Sequence, residues 1–347
     1  MGLRYNARMS RADRLQSLVE RGFSSLDDGD LPAAARALEQ AKKISRDDAG
    51  VMLLDAALLD LGGDPEGALA IYAKLAEAHP DDPVPHLHAA ATSLYSMDDA
   101  EAALKSADLA LERVEEDDEL IEGIQLKVRA LGALGRTDEA REAMRELDTS
   151  AIDDPQAIDE IADAAMEADD PSTAITWWEK LKDDDEWGAD AWYGIGLARE
   201  AQGDGAARAQ AWLETRRRDA AAPAPEWHLS HEEFEKIASE ALAELPDEAQ
   251  AKLANVPILV DDLPSEDMIK DGVDPRVLGL FTGTPLPEES SVGGAPSLTD
   301  IHLFQTNLEQ SAGDPDELRE QIRITVLHET AHFFGLDEDA LEELGLD

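Results

Sequence analysis

Near the end of the chain, His328, Glu329 and His332 form the pattern H-E-x-x-H within Val326-Leu327-His328-Glu329-Thr330-Ala331-His332-Phe333-Phe334-Gly335. Residues four apart on a helix point from the same face, one turn above each other. Two imidazoles placed in this way can grip one zinc ion. A glutamate directly after the first can take the proton of a water molecule that the metal activates. This is the chemistry of metal-assisted hydrolysis, most often of a peptide bond, with His328 and His332 as ligands and Glu329 as general base. The bland alternative is two half-buried histidines and a helix-surface acid.

The surrounding residues supply the helix that the chemistry needs. Asp314-Pro315-Asp316-Glu317 reads as a helix start, with Asp314 as N-cap, Pro315 as first helical residue and Glu317 as capping-box acid. Leu318, Ile322, Val326, Leu327 and Ala331 then recur at helical spacing, and Gly335 supplies a stop. The two histidines therefore fall in the last two turns of a long, capped helix.

Catalytic zinc usually has three protein ligands and an open position. The spacing His332-x-x-Gly335-x-x-Glu338 points to Glu338 as the third, with Asp337 and Asp339 as fallbacks. A local reading competes. Asp337 to Leu344 also reads as a short helix with Asp337 as its cap, and an acid at the first helical position is favoured by the helix dipole without any metal. The run Asp300-Ile301-His302-Leu303-Phe304 reads as a strand edge along which an extended peptide could lie. A helper for the oxyanion would have to be His302, Arg276, Arg323 or the metal, because all four tyrosines lie upstream of the region carrying the motif.

From about His228 to Asp347 the chain resembles the small zincin-like metallopeptidase domain of bacteria. The shared features run in order: an opening helix from Glu232-Glu233-Phe234 to Leu245-Pro246, the apolar run Val256 to Pro264, then Leu278 to Leu286, Asp300 to Phe304, the motif helix, and the tail Leu341 to Gly345. The resemblance implies a compact α+β fold and an H-E-x-x-H-x-x-G-x-x-acid site for one Zn²⁺, mapping onto His328, Glu329, His332 and Glu338. The chain departs from the family at two positions. Glu338 stands where aspartate is usual, and Phe333 where histidine is frequent.

Upstream, Gly29-Asp30-Leu31-Pro32-Ala33-Ala34 recurs 34 residues later as Gly63-Asp64-Pro65-Glu66-Gly67-Ala68. Ala103, Ala140 and Ala174 follow at spacings of 35, 37 and 34, and a sixth unit turns at Gly203-Asp204-Gly205 with Arg208 at the small-residue position. Helical pairs at a period near 34 resemble tetratricopeptide repeats, which stack into a solenoid and offer a groove to peptides or proteins. Tyr72, Trp178, Trp192 and Trp212 read as packing residues of that stack. The pairs His86/His88 and His228/His231 read as non-ligands. The first spacing is wrong for one helix face, and the second flanks Ser230, which makes a capping box with Glu233.

The expected fold class is therefore an all-α tetratricopeptide-type solenoid over residues 1–215, an Ala/Pro linker over 216–227 and an α+β zincin-like domain over 228–347. With 78 acidic against 30 basic side chains the net charge is −48, which repels nucleic acid and anionic lipid and favours basic or unfolded protein segments. No cysteine is present, so neither disulfides nor thiolate ligands enter. Without an apolar leader or a spanning run, the expectation is a soluble cytoplasmic protein. Three readings are open: a zinc peptidase whose repeats recruit substrate or partner, a non-catalytic repeat scaffold with a metal-binding or degenerate zincin module, and a peptidase whose repeats regulate it by covering its cleft. The charge excess carries its own prediction. Because screening grows from low ionic strength to about 1 M salt, the melting temperature should rise across that range; a flat profile would count against self-repulsion as a limit on stability.

Overall fold

The computed structural model describes residues 10–114, 116–145, 147, 152–254, 256–283 and 299–336. The chain divides into two compact units, Met1–Lys180 and Leu181–Asp347.

The first unit is built of consecutive helical pairs: α1 (Arg11–Asp27) with α2 (Leu31–Lys42), α3 (Ala49–Leu61) with α4 (Pro65–Ala78), α5 (Val84–Ala91, continued by a π-helical turn Thr92–Ser96) with α6 (Ala100–Leu111), α7 (Asp117–Ala133) with α8 (Thr137–Arg145), and α9 (Pro155–Glu167) with α10 (Pro171–Trp178). The turn inside each pair repeats one device. A residue with left-handed backbone ends the first helix: Gly29, Gly63, Asp98, Gly135 and Asp169, with φ between 53° and 84°. In four of these turns the next residue is an aspartate, Asp30, Asp64, Asp99 or Asp170, whose carboxylate accepts the amide hydrogen three residues on and caps the second helix. The sequence marks this turn as Gly-Asp; in the third and fifth pairs an aspartate occupies the left-handed position, which short polar side chains tolerate better than others. Ala34, Ala68, Ala103, Ala140 and Ala174, the small residues of the repeat, are fully buried at 0% exposure, as the packed positions of stacked helical pairs. Tyr72 and Trp178 are buried as packing residues, and Trp178 donates to Asp159 at 2.8 Å.

The second unit opens with a sixth pair, α11 (Gly188–Ala201) and α12 (Gly205–Asp219), turned by Gly203 with φ 72° and capped by Asp204. Its divergence at Arg208 has a structural reason: the side chain pairs with Glu200 at 3.0 Å and lies over the buried Trp212 ring at 5.0 Å, and that ring fills the space a Cβ on Gly196 would need. α12 runs to Asp219, with Arg216, Arg217 and Arg218 in its last turn, the helix end that the sequence reads there ahead of a short Ala/Pro linker. This pair therefore sits in the same compact unit as the C-terminal region.

That region follows as α13 (His231–Ala243), α14 (Asp247–Leu253), β1 (Ile258–Asp261), α15 (Glu266–Asp271), β2 (Gly279–Thr282), β3 (Asp300–Phe304), α16 (Gln305–Gln310) and α17 (Pro315–Phe333). The capping box of Ser230 and Glu233 opens α13 as expected. The three strands lie in the order β1-β3-β2. β1 pairs parallel with β3, Ile258 opposite Ile301, and β2 pairs antiparallel with β3, Phe281 opposite Ile301. The expectation that Asp300–Phe304 forms an edge is therefore corrected: it is the central strand, with both sides taken by neighbours. Ile301 and Leu303 point to the face covered by α13 and α17. There they join Phe234, Ile237, Leu308, Leu318, Ile322 and Val326 in one core.

Arg276, just ahead of β2, fastens this region to the sixth pair. Its Nε and Nη2 donate to the two oxygens of the buried Asp219 at 3.1 and 3.2 Å, and Nη1 donates to Asp190 at 2.7 Å. The Tyr193 ring lies beneath the guanidinium at 4.9 Å, and its hydroxyl donates to Asp274 at 2.8 Å. From the other side, the Asn307 amide donates to the carbonyls of Pro275 and Val277 at 2.9 and 2.7 Å. The segment leading into β2 is thus held by side chains from both flanks.

Candidate metal centre

Helix α17 forms as its sequence dictates. Asp314 caps it, accepting from the amides of Asp316 and Glu317, and Pro315 is its first residue. The Glu317 carboxylate reaches back one residue further than a capping box requires, to the amide of Gly313 at 2.7 Å. At the other end Gly335 takes φ 82°, its amide donates to the His332 carbonyl at 3.0 Å, and the Leu336 amide donates to the Ala331 carbonyl at 3.1 Å. This paired closure is a Schellman motif, which stops the helix at Phe333, one residue beyond the second histidine.

The helix brings His328 and His332 together as the spacing requires. Their Nε2 atoms are 3.0 Å apart, with ring centroids at 4.7 Å. Two nitrogens on one tetrahedral ion at about 2.0–2.1 Å would be separated by about 3.3 Å, so the pair already has nearly the separation of two ligands on a single metal. His332 Nδ1 lies 3.2 Å from the Leu336 carbonyl. A carbonyl only accepts, so this contact puts the proton on Nδ1 and turns the Nε2 lone pair toward the partner ring, as the outer hydrogen bond of a metal-bound histidine does. Two imidazole nitrogens suit zinc as two of the three protein ligands that a catalytic site takes. Among the described residues no group of three or more His, Asp or Glu suited to hold a metal forms. Glu338, Asp337 and Asp339, the third-ligand candidates, lie outside the described residues.

Glu329 is buried at 7% exposure, and its Oε2 accepts the amide hydrogen of Phe281 on β2 at 2.7 Å. β2 pairs with β3 on one side only among the described residues. Backbone alternation turns the amides of Gly279 and Phe281 to the other side, where Glu329 takes one of them. The close approach depends on Gly279. A Cβ there would lie 2.6 Å from Thr325 Cγ2 and 2.9 Å from Glu329 Cγ. Gly279→Ala should therefore push Glu329 off its position with an unchanged circular dichroism spectrum, and any hydrolytic turnover that uses Glu329 should fall on the order of 10²-fold. Unaltered turnover would show that the approach has no functional weight.

The sequence does not mark Gly279 or Phe281 as site residues. The one available signal was a lone glycine within the apolar run Leu278-Gly279-Leu280-Phe281, which marks a close backbone approach. The three side chains considered as oxyanion helpers are engaged with acids. His302 lies between Asp261 at 2.8 Å and Asp300 at 3.3 Å, Arg276 holds Asp219 and Asp190, and Arg323 holds Glu244 at 2.9 Å and Glu320 at 3.0 Å. The rejected histidine pairs have partners too. His88 stacks on Tyr72 at 5.5 Å with burial lowering its pKa, and His228 meets the buried Glu309 at 2.7 Å.

Residues 253–346 match the model of a family described as zincin-like metallopeptidase, a stretch that begins inside the resemblance read from about His228 onward. No curated protein matches the chain. Among solved structures, PilF of Pseudomonas aeruginosa is 14% identical over 60% of this chain and 92% of its own, with a TM-score of 0.45. PilW, described as a type IV pilus biogenesis factor, is 14% identical over 60% and 94%, with a TM-score of 0.46. YrrB, described as a TPR protein with an unusual peptide-binding site, is 17% identical over 52% and 92%, with a TM-score of 0.39. The chain combines tetratricopeptide-type helical repeats with a C-terminal zincin-like region. No helix among the described residues is long and apolar enough to cross a membrane.

Proposed function

We propose that the protein is a zinc-dependent peptidase. In this reading His328 and His332 hold one Zn²⁺ together with Glu338, and Glu329 acts as the general base. The observation that carries the reading is a single arrangement: two Nε2 atoms 3.0 Å apart on α17, and beside them a carboxylate locked to a strand amide. Zinc bound there supplies Lewis acidity, acidifying water and polarising a carbonyl. The protein's own groups do the rest. Phe281 N–H orients the Glu329 carboxylate, which takes the proton of the attacking water and returns it to the leaving nitrogen. The His332 Nδ1 contact with Leu336 keeps that ring's Nε2 aimed at the ion.

The repeats would bring a protein or peptide to the enzyme. The acidic surface favours basic or unfolded segments and disfavours nucleic acid and membrane. We place the protein in the cytoplasm, which cell fractionation tests. For the peptidase reading the test is metal analysis of the zinc-loaded full chain alongside digestion of unfolded casein. One zinc per chain and cleavage that stops with a chelator are expected. A chain that takes up no zinc ends the reading. Zinc without cleavage of casein or a peptide library favours the scaffold.

A further inference from the structure

A cavity of about 200 Å³ adjoins the proposed centre, and His328 and Glu329 themselves form part of its lining. The rest of the α17 wall is the stripe that the helix repeat dictates: Ile324 and Thr325 one turn back from the histidine and glutamate, and Gln321 a further turn back. Val277, Leu278 and Gly279 close the other wall, from the segment that Arg276 and Asn307 hold in place. Apart from His328 and Glu329, no titratable side chain among the described residues lines it. An apolar cavity of about 150 Å³ is large enough to bind benzene, so this one has room for a complete leucine, isoleucine, methionine or phenylalanine side chain. A carboxylate there would face Glu329, and a lysine or arginine would lose water and find among the described lining no acid but Glu329, whose Oε2 already accepts the Phe281 N–H.

We infer that this cavity receives the side chain of one residue flanking the cleaved bond, and that this residue is aliphatic or aromatic and uncharged. The inference rests on the peptidase reading for the word cleaved, and on the cavity alone for the preference. It makes Ile324 and Val277 specificity-determining residues. Gly279 serves twice, letting Glu329 reach the strand and leaving the cavity open beside it.

The test uses the zinc-loaded full chain carrying Glu329→Gln, which can hold a peptide without cutting it. Fluorescein-labelled glycine/serine peptides with leucine, alanine or aspartate at the centre are titrated by anisotropy. The leucine peptide should bind at least about tenfold more tightly than the other two. Adding Ile324→Trp, which fills the cavity from the helix side, should erase that advantage with zinc content unchanged. If that variant does not fold, Val277→Phe from the opposite wall gives the same readout. Equal binding of the three peptides, undetectable binding included, or an advantage that survives the filled cavity, overturns the inference. The same peptides are then given to the wild-type protein. A leucine preference in binding with no cleavage by the wild type overturns the peptidase reading and leaves the cavity as a side-chain recognition site. Cleavage without any preference does the reverse.

Discussion

Glu329→Gln should lower the rate of casein cleavage by roughly 10²- to 10⁴-fold, the usual contribution of a positioned general base, while one zinc per chain stays bound. The substitution keeps the shape of the side chain, and the amide oxygen can still accept the Phe281 N–H that now holds Oε2 at 2.7 Å. What it removes is the capacity to take a proton. His328→Ala makes the complementary separation, losing both metal and activity, because it removes one of the three proposed ligands and half of the histidine pair. Metal analysis and initial rates on the same preparations check both. A glutamine variant as active as the wild type would remove Glu329 from the chemistry.

Arg276→Ala should destabilise the second unit by about 2–3 kcal/mol. That is the range for leaving a buried carboxylate without its charged partner, reduced for the part of the guanidinium that stays in solvent. Asp219 is 5% exposed and receives two hydrogen bonds from Arg276. Without the arginine its charge remains, in a place that water reaches poorly. Removing both partners, in Arg276→Ala with Asp219→Ala, should recover at least half of the loss, and urea denaturation of the four proteins gives the cycle. The same contacts predict that a fragment starting at 228 is less stable than one starting at 181, because the shorter piece lacks Asp190, Asp219 and Tyr193. Equal midpoints for the two fragments would show that the sixth helical pair adds nothing to the fold of the zincin-like region.

The parts of the molecule that could be read from the sequence are the local ones. The motif helix announces itself through Asp314-Pro315 and Gly335, and its apolar stripe through Leu318, Ile322 and Val326. Each of these signals spans only a few residues. The repeat is legible for the same reason, since its turns and small residues recur at a nearly fixed interval. Strand order is a different matter. Asp300–Phe304 shows its alternation but not its neighbours, and pairing on both sides is a property of three segments at once. The bond from Glu329 to Phe281 N–H joins residues 48 apart, and the Arg276 contact with Asp219 joins residues 57 apart. In a chain with 78 acids nothing distinguishes Asp219 from the rest until the fold has buried it. Glu338 lies outside the described residues, so its place at the metal rests on the spacing and the family pattern.

The sheet topology has a consequence for how the second unit comes into being. β1 and β3 lie side by side in parallel, with Ile258 opposite Ile301, so the chain between them must close a long loop before a single rung of that ladder can form. The helical hairpins of the first unit need only neighbours in sequence, and their assembly should run ahead. Refolding from urea should accordingly show a fast phase in helix content and a slower one that ends with α17 docking over β3. Zinc uptake should follow the slower phase, making metal binding a late clock of maturation.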